Sequence, residues 1–449
     1  MSVSALGVLA VFFLGLTLAF TYRPIFGLFA YLWIFYNDPQ THWWGAELPA
    51  VRYSLAAAVV ALIATWAQAG KTEPWLSTGA TKILLAFVVW CWIQTPWAVD
   101  LPIHLDGAVL FTKYLVLSYI IWKICSDEEN IELFLWAHVI GCAIFGWEGF
   151  SSTVTGRLET VGGPGVDDSN LLAAHMVTGL AIAGFMFIHI RGYKRWLLLA
   201  TIPFIMNGII LTQSRGGFLA LCGAAVAAIY LAPRTHRRLV VGAGVLGGIL
   251  FLFLVNDAFW DRVDTLKEVD SQQEGRLRML GPQFEMFKDY PFGAGHRGNA
   301  VLSPKYFDAS ELNVETGTRA AHNTFVAALV DHGIPGAALL LSLYVWGFIS
   351  VTRLQRLERL GLLSPRLAIY RAAIGTALAS MIISGLFLNL IKTEVQVWLV
   401  TLLAAVATIA HRAAVAQRAA AAAPAPVQPR VAAEEPVVVQ PNRIRHRNV

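Results

Sequence analysis

Residues 195–232 read RWLLLATIPFIMNGIILTQSRGGFLALCGAAVAAIYLA. Two apolar runs, 195–213 and 216–232, meet at Arg215. Neither shows period-two alternation, and each has the length and apolarity of a bilayer crossing. Backbone groups in lipid find no water to pair with, so only helices or closed barrels span it; long apolar runs without alternation select helices. The connection is very tight, so the Arg215 guanidinium must sit at interface depth, where a charge is costly. It reads either as an arginine snorkelling at a hairpin end or as an anion site, because guanidinium grips phosphate oxygens bidentately.

The rest of the chain repeats this pattern. Further candidate spans fall near 2–20, 25–36, 51–68, 80–98, 108–125, 131–153, 170–190, 239–256, 322–350, 367–389 and 394–411. Segment 25–36 is too short to cross ~30 Å of hydrocarbon as a straight helix. The expected class is an all-α polytopic membrane protein with about 12 transmembrane helices (range about 11–13). Mean hydropathy is +0.58, with 56% hydrophobic and 14% charged residues, which excludes a soluble domain of 449 residues. Met1 to Phe20 lacks a basic n-region and reads as a retained first span. Tryptophans such as Trp43, Trp75, Trp97, Trp196 and Trp260 fall near span ends, as in an interfacial belt. The net charge of +5 therefore reports topology and lipid contact, and no nucleic-acid partner is expected. Cys91, Cys125, Cys142 and Cys222 lie in or beside spans, with no disulfide or metal spacing.

One long segment breaks the apolar pattern. Asp257 to Ala320 holds 19 of the 63 Asp, Glu, Lys and Arg residues, too many for a span, so it lies outside the bilayer. Within it Leu277, Leu280, Phe284 and Phe287 recur at three and four residues, predicting an amphipathic helix over Glu274 to Tyr290. Tyr290-Pro291-Phe292-Gly293-Ala294-Gly295 then stops it. Basic clusters at Arg191–Arg195, Arg234–Arg238 and Arg353–Arg366 are separated by two crossings each, so they share a face, which the positive-inside rule makes cytoplasmic. The opposite face receives Arg215, the 257–320 loop and the Gly-rich loop from Gly156 to Ser169. The side of the N-terminus depends on whether segment 25–36 crosses. Residues 412–449 turn to Ala, Pro, Val and Gln and read as a disordered cytoplasmic tail.

Three features on the outer face carry chemistry. Arg215 is the first. Gly275-Arg276-Leu277-Arg278 is the second; its arginines, two apart, point to different sides of a helix, so at most one faces a common site. They read as anion ligands or as a solvated helix end. His322, which opens the next apolar run, is the third. A neutral imidazole can take a proton from a sugar hydroxyl; the alternative is a span-capping histidine. His332 reads as structural, and His175 is a weaker second candidate base. Asp167-Asp168 reads as a polar turn rather than a metal site, so no metal or cofactor is expected.

In order, Ser214-Arg215-Gly216-Gly217, Gly275-Arg276, Pro291-Phe292-Gly293-Ala294-Gly295, His322-Asn323-Thr324-Phe325 and His332-Gly333-Ile334-Pro335-Gly336 resemble the O-antigen ligase and polymerase superfamily over roughly 165–400. Arg23-Pro24, Tyr31-Leu32-Trp33, Asn37-Asp38-Pro39 and Trp43-Trp44-Gly45, within an N-terminal region 1–160, resemble the O-glycosylation ligases found with exosortase A systems. The resemblance implies a GT-C-like membrane glycosyltransferase of the bacterial inner membrane, with the 257–320 loop in the periplasm. Such an enzyme moves a glycan from undecaprenyl pyrophosphate to an acceptor hydroxyl on lipid, protein or polymer, without metal and with inversion. It further implies His322 as base and Arg215 and Arg276 as the arginines that meet the pyrophosphate; Arg278 and Asn323, beside them in the sequence, are expected as additional substrate contacts. Arg278 departs from the family pattern by placing a second arginine in the same turn. Two other readings stay open: a polysaccharide polymerase using the same residues, and a small-solute transporter, which the scarcity of ionisable residues inside the spans disfavours.

Overall fold

A computed structural model describes residues 1–68, 73–151, 157–158, 166, 168–255 and 269–422, with side chains at all of these positions except 254, 269–278 and 420–422. Among the described residues every regular element is helical. The N-terminal set is α1 (Val3–Thr21), α2 (Ile25–Tyr36), α3 (Tyr53–Ala67), α4 (Gly79–Ile93), α5 (Leu101–Ile124) and α6 (Glu128–Ser151). Then come α7 (Ser169–His189), α8 (Tyr193–Leu211), α9 (Arg215–Leu231) and α10 (Arg237–Leu254). The polar loop contributes α11 (Val269–Asp289) and α12 (Gly298–Tyr306), and the chain closes with α13 (Thr324–Arg359), α14 (Pro365–Gly385) and α15 (Glu394–Ala422).

Eight of these helices are long and apolar enough to cross a bilayer on those grounds alone, against about twelve expected. Helices α2, α3 and α9 are apolar but shorter; α2, of 12 residues, is only ~18 Å long. It runs from one end of the bundle only into the interior. Its start lies beside Arg23, whose Nη1 meets Glu129 at 2.6 Å, and its last residue, Tyr36, bonds His138 and His175 well inside α6 and α7. Ser2 meets Glu47 at the end opposite Arg23, so the first residues lie at that opposite end.

Polar side chains start the helices where the sequence supplies them. Ser2, Thr78, Asp100, Asp168, Ser214, Asn323 and Ser364 each accept from an amide of the first turn, satisfying donors that a helix start leaves open. The central post is α14, the most deeply buried candidate span, which packs against α7 and α9. Its Arg371 has no exposed surface; Nη2 donates to the Leu231 carbonyl and to Glu358, both at 2.8 Å. Arg366 likewise meets Glu132 at 2.6 Å, and the His189 and Tyr370 rings lie 6.3 Å apart. The three basic clusters thus gather at one end of the bundle, and the 212–214 and 386–393 turns at the other.

Two expectations need correction. Helix α11 begins earlier than Glu274, and its packed face is not the expected one: Phe284 is 52% exposed, whereas Gln283 and Met286 are buried. Met286 packs with Ala294, Leu302, Phe307 and Val330, and Phe287 of the expected face lies partly against the same cluster, so this side of the helix is turned toward the protein. Helix α15 also runs to Ala422, past the expected boundary at 412, because the Ala-rich stretch there has the highest intrinsic helix propensity. Residues 423–449 lie outside the described residues.

Candidate active site

The hairpin between α8 and α9 is built by its own side chains. Gln213 adopts a left-handed φ of 47°. Ser214 Oγ accepts from Gly217 N at 3.0 Å and donates to Asn170 Oδ1 on α7 at 2.9 Å. Gly217 cannot carry a side chain, since a Cβ there would come within 2.5 Å of Ala173 Cβ. That close approach seats α9 on α7 and presents Arg215 as its first, half-buried residue.

Arg157, which sequence reasoning passed over, joins this hairpin. Its Nε donates to the Thr212 carbonyl at 3.1 Å and its Nη2 to Asn170 Oδ1 at 3.3 Å. The available signal was a Gly156-Arg157 pair in an outer loop, the same pair type as Gly275-Arg276.

The start of α13 comes to the same place. His322 is exposed and immediately precedes the cap residue Asn323. Asn323 Oδ1 accepts from Phe325 N and Val326 N at 2.9 and 3.0 Å, and its Nδ2 donates to the Leu386 carbonyl at 3.0 Å. Thr324 Oγ1 donates to the Leu388 carbonyl at 2.7 Å and accepts from Leu390 N at 2.9 Å. The next residue in that turn, Phe387, faces the hairpin: a Cβ on Gly216 would meet Phe387 Cβ at 3.5 Å. One turn, 386–390, therefore touches the neighbours of both His322 and Arg215. Asn323 commits both ends of its amide to holding this arrangement.

Below it lies a buried lock made from two glycine motifs. Helix α13 is broken at Gly333, where φ is +66°. The segment 291–295 pairs along that break: Ala294 N donates to the Val330 carbonyl at 2.9 Å, Gly295 N to Asp331 O at 2.8 Å and Ile334 N to Pro291 O at 3.0 Å. Asp331 Oδ1 accepts from Asn299 N and Nδ2, both at 2.7 Å. His332 is fully buried between Phe87 and Phe111, with Nδ1 2.9 Å from Gln94 Oε1. Gln94 Nε2 donates to the Phe292 and Asp331 carbonyls, which fixes its oxygen as the acceptor and makes His332 Nδ1 the donor. His332 thus sits fully buried and held by Gln94, the surroundings of a packing residue. His296, in the same lock, has its pKa pushed down to about 4, first by burial and then by Arg297, His104 and Lys392.

The other sequence candidates are placed as follows. The backbone of Arg276 and Arg278 belongs to α11, and their side chains lie outside the described residues. His175 is fully buried, and Tyr36 Oη stands 3.0 Å from its Nε2 and 2.6 Å from His138 Nδ1. Asp168 caps α7, accepting from Asn170 N at 2.7 Å; Asp167 lies outside the described residues. Among the described residues one group has metal-ligand chemistry, the buried His138, Cys142 and His175. Its His138-Cys142 pair, four residues apart on α6, was a helical ligand spacing in the sequence; His175 joins it only where α6 meets α7. Both His138 nitrogens already have hydrogen-bond partners, Tyr36 and Thr178.

Residues 199–341 match a family model described as O-Antigen ligase. The matched range holds the hairpin with Arg215, the loop helix α11, His322 and the Gly333 break. Residues 4–188 match a second model, for a family of unknown function, DUF5935, which takes in α1 to α6 and nearly all of α7. No curated protein matches the chain. The first match supports a multi-pass membrane enzyme of the O-antigen ligase or polymerase type.

Proposed function

We propose that this chain is a membrane glycosyltransferase that moves a glycan from undecaprenyl pyrophosphate to an acceptor hydroxyl at the periplasmic face of the inner membrane. The observation that carries the reading is that one turn, 386–390, contacts Asn323 and Gly216, the chain neighbours of His322 and Arg215, two residues inside the region that matches O-antigen ligase. In the proposed reaction the acceptor oxygen attacks the anomeric carbon, the bond from that carbon to the pyrophosphate oxygen breaks, and configuration inverts. The acceptor proton passes to His322, and the electron pair leaves with the pyrophosphate. Arg215 and Arg276 neutralise the charge that develops on the leaving group, the task a metal ion performs in other phosphate chemistry. Arg157 adds a third guanidinium beside Arg215.

Helical register favours Arg276 over Arg278 for this role. Position 276 falls in line with Met279, Gln283 and Met286, the packed face of α11, whereas position 278 falls in line with the exposed Gly281 and Glu285. Helix α11 roofs the site and keeps water from taking the glycan.

The test is transfer by the purified chain in nanodiscs, given a glycan-pyrophosphate lipid donor with and without a hydroxyl acceptor. Ligase chemistry requires acceptor and survives EDTA. Donor-to-donor chain growth without acceptor makes the chain a polymerase, and activity restored only by added divalent ion removes the arginine mechanism.

A further inference from the structure

A cavity of about 1010 Å³ lies outside the region that matches O-antigen ligase, between α2, α3, α5 and the start of α15. Much of its wall is hydrocarbon, including Leu55 and Val59 of α3 and Val109 and Val116 of α5. Lys113 lines it too. This residue stands twelve positions beyond Leu101, ~18 Å along a 24-residue candidate span, and so near the middle of the layer. A cation at that depth is costly and marks a function unless it is paired. Lys113 is exposed to the cavity space and has no hydrogen-bond or ion-pair partner among the described residues.

The remaining polar groups narrow the ligand. Glu394 lines the same cavity, its Oε1 held by Tyr31 Oη and Trp398 Nε1, both at 2.8 Å. Arg52, exposed at the start of α3, lines the mouth; Asp38 and His42 line the loop side, with His42 meeting Glu148 at 3.2 Å. An ammonium without a counter-ion asks for an anion. A carboxylate in the same space rewards a hydroxyl donor. Walls of leucine and valine ask for hydrocarbon. We propose that this cavity binds a membrane amphiphile with an anionic, hydroxyl-bearing head, its phosphate on Lys113 and its chain along α3 and α5. This site is separate from the Arg215 and His322 seat and does not depend on the reaction proposed for it.

The experiment is native mass spectrometry of the full chain released from micelles containing equal phosphatidylglycerol and phosphatidylcholine. Phosphatidylglycerol supplies phosphate, hydroxyls and chains; phosphatidylcholine supplies no hydroxyl and carries a cation. Glycerol phosphate in a parallel sample is the head without chains. The wild-type chain is expected to retain phosphatidylglycerol over phosphatidylcholine by about tenfold, and Lys113→Gln to remove that preference. Ala58→Trp, which fills the cavity, is expected to lose the bound lipid, while Lys82→Gln keeps it. Equal retention of the two lipids, or unchanged preference in Lys113→Gln, overturns the site. Glycerol phosphate bound as tightly as phosphatidylglycerol overturns the role of the chain. Where Lys113→Gln fails to fold, the wild-type preference and the Ala58→Trp result decide the matter alone.

Discussion

Gly293 and Gly333 approach so closely that neither position has room for a side chain. A Cβ on Gly333 would lie 2.5 Å from Gly293 N, and one on Gly293 would lie 2.5 Å from the His332 carbonyl carbon. Both residues also hold positive φ, +89° and +66°. Their contact fastens the polar loop to the break in α13, the helix whose first turn follows His322.

Gly333→Ala therefore meets two penalties, a left-handed backbone and a backbone clash. The expected loss is about 2–4 kcal/mol of stability. Thermal unfolding in detergent measures it. Gly184→Ala, at a helical glycine with nothing near its Cβ, is the neutral control. Equal melting of the two variants removes the lock.

His322 and Arg215 should fail differently. A general base acts in the transition state and typically contributes 10²–10⁴-fold, so His322→Ala lowers single-turnover transfer by about that factor with donor affinity nearly unchanged. Arg215 meets the phosphate before and during departure, so Arg215→Ala weakens donor binding as well. Arg215→Lys restores charge without the bidentate geometry and recovers only part. Near wild-type transfer by His322→Ala discards it as the base.

Arg157→Ala should resemble a mild Arg215→Ala, while Arg278→Ala should be close to wild type. Donor affinity for each variant is the measurement. If Arg278→Ala is the inactive variant and Arg276→Ala the healthy one, the register of α11 in the working enzyme differs from that described above.

Topology is accessible through cysteine labelling, at positions chosen from the structure. Val314 is fully exposed in the polar loop and Leu360 is 58% exposed at the basic end. In a background with Cys222 replaced, a membrane-impermeant thiol reagent should label Val314→Cys in intact cells and spare Leu360→Cys. Ser303 and Gln355, natural choices from the sequence alone, are buried and unsuited. The reverse labelling pattern inverts the proposed orientation.

Stability should fall with acid through His296. Its folded pKa, about 4, lies below the unfolded value near 6.5. Above about pH 6.5 both states are neutral there and its stabilising contribution is complete. As pH falls through the interval, only the unfolded chain binds the proton, so stability is lost down to about pH 4. Melting temperature against pH checks this: His296→Asn should flatten that part of the curve, and a curve identical to wild type rules His296 out as its source.

Hydropathy alone made the chain a helical membrane protein, because satisfying backbone groups in lipid is a local demand that each segment meets by itself. The polar loop, the basic end and the glycine motifs were legible for the same reason: charge, turns and positive φ are properties of short stretches. Tertiary structure decided what those stretches do together. The pairing of Pro291–Gly295 with the Gly333 break, the turn that contacts the neighbours of His322 and Arg215, Arg157 beside Thr212, and the face that α11 buries against Val330 all join segments far apart in the chain. The three- and four-residue spacing in α11 marked an apolar face through Phe284, yet the protein packs Met286 and leaves Phe284 half exposed. An amphipathic pattern says that a face is apolar; only the shape of the partner surface, here Ala294 and Val330, selects which apolar residues it takes.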